Sequence, residues 1–471
     1  MKLSIARKEF VETWRDGRFI IAAVIVLALL GVSLVLAKKQ VESAREERET
    51  AAKMERDNWL NQGKKSAHSA GHYGVYAFKP VSPLAAFDRG LEPYVGTTVF
   101  LEAHRQNPSA FLPAQDATSM RRFGELTASI ALQLLAPLLI ILLTFSTLAG
   151  ERERGTLRQV LSLGVKPRDL VVGKAIGLGA ALLVLFVPVA VIGAVVLLQL
   201  APEGSGDFGQ RVGYLTLAYG LYFAAFLALS LSVSALASNA RTALVVLLLL
   251  WAVNGVLAPR LSTDLVERVK PLPSLEVFEQ NLGEEIKSVQ HGHGLKPEIT
   301  QALLKKTLEK YGVSNPRELP INFRGVVLLE SERVVGEIYD RHNAELWDQI
   351  EAQDRWVSWC GLASPLLGLR SASMAFSGTD FAHHRDFSVA AEAYRRDFVR
   401  VLNEEEMRVR PGTHGPPADR ELWEQLPAFS YATPPVATAL ASGTAGLTVL
   451  AIWAALAWFL LISVAPRIKP N

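Results

Sequence analysis

The chain holds one cysteine, Cys360, in 471 residues. A lone thiol forbids an intramolecular disulfide, so no part of the chain is a disulfide-stapled scaffold. Charge is also missing, but only locally. Charged side chains make up 20% of the residues, yet none falls in 19–37, 128–149, 175–200, 212–237, 242–258 or 436–465. At 1.5 Å per residue, a nineteen-residue helix spans roughly 28 Å, close to one hydrocarbon core. That segregation excludes a soluble enzyme and a nucleic-acid binder. The chain also lacks a G-x-x-x-x-G-K-[ST] loop, so it cannot cradle a nucleotide phosphate in that manner. Neither a G-x-S-x-G elbow nor an H-E-x-x-H or Cys/His zinc spacing occurs. His68 and His72 at i, i+4, His291 and His293, and adjacent His383 and His384 therefore read as ordinary histidines, with no metal and no catalytic residue assigned.

What is present is an all-α polytopic membrane protein with six transmembrane helices. With the N-terminus inside, residues 1–18, 150–174, 238–241 and 466–471 carry fourteen basic and six acidic side chains, and the remainder carries 35 and 40. The positive-inside rule therefore places both termini in the cytoplasm. Ala37 is followed at once by Lys38 and Lys39, a poor cleavage context, so the first span is expected to be an uncleaved anchor. A mainly helical extracytoplasmic domain built from two insertions, 38–127 and 259–435, is expected.

Residues 1–18 show Leu3, Ala6, Phe10 and Trp14 at three- and four-residue spacing among charges. The pattern predicts an interfacial amphipathic helix on membrane lipid, with Phe10, Trp14 and Arg15 as its anchors. After the first span, residues 41–60 are rich in helix formers and lack Gly and Pro, which should carry that helix beyond the membrane. A short strand is expected at 94–102, and helices at 297–311, 326–356 and 386–409. The Pro-rich stretches 411–417 and 427–435 read as connectors to the last span.

The most informative segment is GERERGTLRQVLSLGVKPRDLVVGK, residues 150–174. Thr156 is the expected N-cap of a short helix that Gly164 stops, and Pro167 begins the next. Leu157, Val160 and Leu161 form a small apolar face amid Glu151, Arg152, Glu153, Arg154 and Arg158. Such a helix, held between two spans, suits docking into a groove of a cytoplasmic partner.

This run resembles the first cytoplasmic loop of bacterial ABC transporter permeases of the type-2 exporter class. The resemblance rests on Glu151, Glu153, Gly155, Thr156, Leu157, Gly173 and Lys174, on Arg7-Lys8-Glu9-Phe10 and Arg15-Asp16, and on six helices with both ends inside. Gly164 departs from it, standing where the family commonly has Pro. Residues 364–403 look similar to a subgroup of these permeases with large extracytoplasmic insertions. The resemblance implies a non-catalytic subunit whose loop docks separate cytoplasmic ATPase subunits through Glu151, Glu153, Gly155, Thr156, Leu157, Val160 and Leu161. ATP and Mg would be bound by those ATPases, with no cofactor on this chain. It further implies a second permease, identical or related, and export of a substrate, with a periplasmic or outer-membrane partner for the insertions.

Within the spans, Gln133, Gln199 and Asn254 are the notable amides, expected to face protein or a water-filled space as pathway or helix-packing groups. No Asp, Glu, Lys or Arg is expected buried in a span, which demotes an ion-coupled carrier. Three readings stand: an exporter permease, a mechanotransmission subunit that moves an external partner without cargo, and a membrane-anchored enzyme.

Overall fold

A computed structural model describes residues 1–112, 127–201, 206–292, 294–409 and 417–468. His293, residues 113–126 of the first insertion and residues 411–416 of the first Pro-rich connector lie outside the described residues. Among the described residues, six helices are long and apolar enough to cross a membrane: Gly17–Leu60, Ala128–Glu153, Pro167–Leu198, Phe208–Leu236, Ala240–Val269 and Val436–Arg467. Each contains one of the charge-free stretches, whole or to within two residues of its end. Side chains such as Ile21, Val24, Leu183, Ile192, Val245, Leu249, Leu456 and Phe459 stand exposed on them, which suits surfaces bathed in lipid rather than water.

Helix α1 (Lys2–Arg15) precedes the first spanning helix, α2 (Gly17–Leu60). Asp16 turns the chain between them and caps α2 through the Arg18 N–H. The 44 residues of α2 reach about 66 Å, more than twice a hydrocarbon core, as the uninterrupted run of helix formers predicted. Its far end enters an insertion domain. There Trp59 packs with α3 (Ala67–Tyr73), a small antiparallel sheet and two later helices, α15 (Phe381–Arg408) and α16 (Arg420–Gln425). The sheet runs β1 (Val75–Phe78), β2 (Thr98–Glu102), β3 (Arg105–Gln106), so the predicted strand occupies only the latter half of 94–102. Both insertions thus share one core.

The second span is a broken helix, α4 (Ala128–Thr144) and α5 (Ala149–Glu153), followed by the short α6 (Thr156–Ser162) and the third span, α7 (Pro167–Leu198). Next come α8 (Phe208–Leu236) and α9 (Ala240–Ala252), which runs through a π-helical turn at Val253–Leu257 into α10 (Ala258–Val269). Helices α11 (Leu275–Val289), α12 (Pro297–Tyr311) and α13 (Phe323–Cys360) build the second insertion; α14 (Pro365–Ser377) and α15 follow, and α17 (Val436–Val464) is the last span.

Helix α14 was not expected in the bundle. It lies between α8 and α17, where Gly446 approaches Gly368 so closely that a Cβ on Gly446 would collide with the Gly368 carbonyl oxygen. The Trp453 indole donates to the Gly361 carbonyl oxygen at 2.8 Å, which sets the α13–α14 turn against the middle of α17. The C-terminal end of α13 and all of α14 therefore form a re-entrant hairpin packed among the spans. With thirteen residues, α14 is too short to read as a span, and its Arg370 interrupts the charge-free pattern that marks the other six.

Candidate functional site

The 150–174 segment lies at the end of the bundle shared with α1 and the 237–240 turn, opposite the insertion domain. Its local form follows from its glycines. Gly155 adopts φ 76°, a left-handed conformation, and is the residue that precedes the first turn of α6. Thr156 is therefore inside the helix and not its N-cap. Its hydroxyl donates backward to the Glu151 carbonyl oxygen at 3.2 Å, closing the end of α5 instead. Gly164, at φ 81°, stops the helix and Pro167 opens α7, both as the sequence indicated.

Three consecutive side chains of α5 fasten three other helices. The Glu151 carboxylate accepts from Lys174 Nζ of α7 at 2.8 Å. Arg152 donates to the carbonyl oxygens of Ala235 (2.7 Å) and Ala237, covering the exposed C-terminal end of α8. Glu153 accepts the Ala240 N–H at 3.2 Å, supplying negative charge at the N-terminus of α9. Just before them, the break at 145–148 is repaired by Ser234 of α8, whose hydroxyl accepts from the N–H groups of Leu148 and Ala149 and donates to the Phe145 carbonyl oxygen.

Lys174 also reaches Glu9 of α1, so one ammonium joins α1, α5 and α7. Lys174 is 2% exposed, Glu9 7% and Glu151 8%. The charge-free windows stand as read, but the helices holding them run farther. Lys174, Glu151 and Arg211 are buried near span ends, contrary to the expectation of no buried charge in a span. Pairing makes this tolerable, because an ionised group in low dielectric needs an opposite charge or hydrogen bonds. Two carboxylates share one cation here. Burial accordingly pushes the Glu9 carboxyl above its ordinary value, and Lys174 pulls it partly back.

Helix α1 reaches this cluster because α7 has no side chain where it crosses. A Cβ on Gly177 would lie 2.5 Å from the Ala6 carbonyl oxygen, and one on Gly173 would lie 2.8 Å from the Ile5 Cβ. The inward face of α1 is thus Ala6, Glu9 and Thr13, which are buried, while Leu3 and Arg15 are exposed and Phe10 and Trp14 lie half-buried on its flank.

A family model for ABC-2 family transporter proteins matches residues 3–289. The chain belongs to that family. A second family model, for a domain of unknown function (DUF3526), matches residues 283–432, the segment between the fifth and last spans that contains the re-entrant hairpin. A search of the curated proteins finds no match. Membership in the ABC-2 family makes the chain a multi-pass membrane component of an ABC transporter, a class that associates with ABC ATPase subunits.

For an ABC-2 chain, the division between inward and outward residues of the loop matters most. Leu157 is buried in the bundle core, and Val160 and Leu161 are partly buried against it. The exposed face of the loop carries Arg154, Arg158, Gln159, Ser162 and Leu163, the last 83% exposed. Sequence reading named the apolar positions and missed Leu163, because periodicity shows that a helix has an apolar face without showing which neighbour covers it.

The amides separate. Gln199 is exposed at the end of α7, while Gln133 and Asn254 are buried in one hydrogen-bonded network. Gln133 donates to the Tyr219 hydroxyl at 3.2 Å and accepts from Arg370 at 3.3 Å. Asn254, in the π-helical turn, donates to the Tyr222 hydroxyl at 3.2 Å and accepts from Ser364 Oγ at 2.6 Å and the Leu366 N–H at 3.2 Å. Tyr219 continues to Ser373 of α14, and Ser373 to Asp88 of the first insertion, whose carboxyl burial pushes up. Arg370, Ser373 and Asp88 gave no signal in sequence, since α14 was read as part of the external domain.

Proposed function

We propose that this chain is the permease subunit of an ATP-driven ABC exporter in a bacterial inner membrane, with N- and C-termini in the cytoplasm and the insertion domain on the other side. ATP and Mg are bound by separate ATPase subunits, the chain itself is non-catalytic, and a second permease completes the path. The observation that carries the reading is the loop: α6 offers Arg154, Arg158, Gln159, Ser162 and Leu163 outward while the adjoining Glu151, Arg152 and Glu153 are tied to α7, α8 and α9. A push on α6 therefore reaches three further spanning helices through short, charge-assisted contacts. Through Glu9 it also reaches α1, whose flank of Phe10 and Trp14 suits the lipid interface.

The test is a pull-down from native membranes, comparing wild type with an Arg158→Glu/Leu163→Asp variant of matched expression. Both positions are exposed, so the variant leaves the fold intact. Wild type should bring down an ATPase and the variant at least about tenfold less. An ATPase absent from the wild-type sample, or retained fully by the variant, overturns the reading.

One observation favours mechanotransmission as a second reading. Gln133 and Asn254 spend their amides on neighbouring helices, and the network they form runs through α14 to Asp88 of the insertion domain. Spin labels at Arg241 and Glu421 of the ATPase-bound complex, both exposed, would report it. A distance that changes with ATP in the absence of any substrate supports that reading, and an unchanged distance removes it.

A further inference from the structure

The fold brings a third histidine to the pair that sequence spacing left unassigned. His68 and His72 lie one turn apart on α3, and His104 arrives from the two-residue turn between β2 and β3. One ring nitrogen from each of the three lies within 4.8 Å of the other two. The His68 and His72 Nε2 atoms are 3.3 Å apart, and the three ring centroids are separated by 4.8, 5.2 and 5.2 Å. Imidazoles bound at about 2.05 Å to a tetrahedral ion have ring nitrogens roughly 3.3 Å apart and ring centroids about 5 Å apart. The three ring centroids and the His68–His72 nitrogen pair already stand at that spacing, and the His104 nitrogen lies within 4.8 Å of both.

Their surroundings hold them there. The Ala103 N–H donates to the Gly71 carbonyl oxygen at 2.9 Å, fixing the hairpin on the turn of α3 between His68 and His72. His104 adopts φ 66°, a conformation for which such turns normally use Gly or Asn. Glu332 of α13 lies 2.9 Å from His104 Nδ1 and accepts the His104 backbone N–H at 2.6 Å, while its other oxygen is held by Arg395 at 3.0 Å. A carboxylate this close to Nδ1 favours the tautomer protonated there, with Nε2 as the metal-binding nitrogen, as outer-shell carboxylates do for ligating histidines. His68 is buried and His72 exposed, so the cluster is anchored inside and open to solvent on one side.

We propose that His68, His72 and His104 bind one zinc-class divalent ion, oriented by Glu332, with a fourth position open to water. The all-nitrogen donor set selects zinc, copper or nickel over magnesium or calcium. The ion fastens the β2–β3 hairpin to α3 in the shared core of the insertions.

The test uses the full chain, purified in detergent with a tag free of histidine, dialysed against zinc and measured by elemental analysis. Wild type should hold one zinc per chain. His72→Ala, exposed and safe for the fold, and His104→Asn, which suits the left-handed turn, should each weaken binding by at least about a hundredfold, and Glu332→Gln by ten- to a hundredfold. Cobalt in place of zinc should give the intense visible bands of a four-coordinate site in wild type only. No stoichiometric zinc in wild type, or full retention by His72→Ala and His104→Asn, overturns the proposal.

Discussion

Replacing Lys174 by methionine keeps the length and bulk of the side chain and removes its charge. Glu9 and Glu151 are then left buried without their cation. Breaking a buried ion pair from one side costs about 3–5 kcal/mol, because the remaining charge is uncompensated. Helix α1 is the part free to respond. It is joined to the bundle by one turn at Asp16 and lies on Gly173 and Gly177. A cost of that size moves its docked equilibrium by roughly two to three and a half orders of magnitude. Thr13 faces inward and is 6% exposed, so Thr13→Cys in a Cys360→Ser background reports undocking by maleimide labelling. Labelling of the Lys174→Met chain at pH 7.5 should accelerate at least about a hundredfold. A triple variant with Glu9→Gln and Glu151→Gln leaves no buried charge and should return to within about tenfold of the Lys174-containing protein. The pH dependence has a definite sign. Burial raises the docked-state pKa of Glu9 above 4.5, so docking gains stability as pH falls through that raised value. Labelling of Lys174→Met, normalised at each pH to the rate of an exposed cysteine, should therefore slow as the pH falls. Labelling of the single variant at the rate of the Lys174-containing protein would show that the cluster does not hold α1, and the reasoning would fail.

Gly177→Ala puts a methyl 2.5 Å from the Ala6 carbonyl oxygen and should undock α1 by about 1–3 kcal/mol in the same labelling assay, whereas Gly213→Ala meets open space and should change nothing. Asn254→Ala strands the Leu366 N–H, leaves the Ser364 hydroxyl only the residue 254 carbonyl oxygen, and should cost about 1–3 kcal/mol, read as a lowered melting temperature in detergent; Gln199→Ala, at an exposed helix end, should stay within about 0.5 kcal/mol of wild type. Burial pushes the His384 imidazole down to about 4, so the fold keeps it neutral where the unfolded chain takes a proton near 6.5. That contribution is complete above pH 6.5 and is lost as pH falls toward 4, a loss of roughly 3 kcal/mol, and His384→Gln should flatten the melting-temperature slope across that window.

The spans were legible because lipid imposes a one-dimensional rule, a run of apolar residues long enough to cross, and six windows obey it. The reach of α2 was equally plain from residues 41–60, and Gly164 and Pro167 mark their turns by backbone chemistry that neighbours do not alter. The site was legible only as a segment. Glu151 looked like a surface acid because its partners, Lys174 and Glu9, are 23 and 142 residues away and charge alone does not reveal burial. Thr156 looked like an N-cap because nothing in the sequence distinguishes the left-handed Gly155, which itself precedes the first helical residue, from any other glycine. Helix α14 hid because burial within protein, unlike exposure to lipid, tolerates an arginine and a short length. His104 could not join His68 and His72 until the hairpin register was known.

The central claim is that α6 meets an ATPase through its exposed face while its inner face grips the bundle. Photo-crosslinking amino acids placed singly at Arg158, Leu163 and Leu157 in cells carrying the native partners test this directly. The account predicts an ATPase adduct from positions 158 and 163 and none from position 157, which is buried within the chain. Adducts from position 157 with none from 158 or 163 would contradict it, as would no ATPase adduct at any of the three.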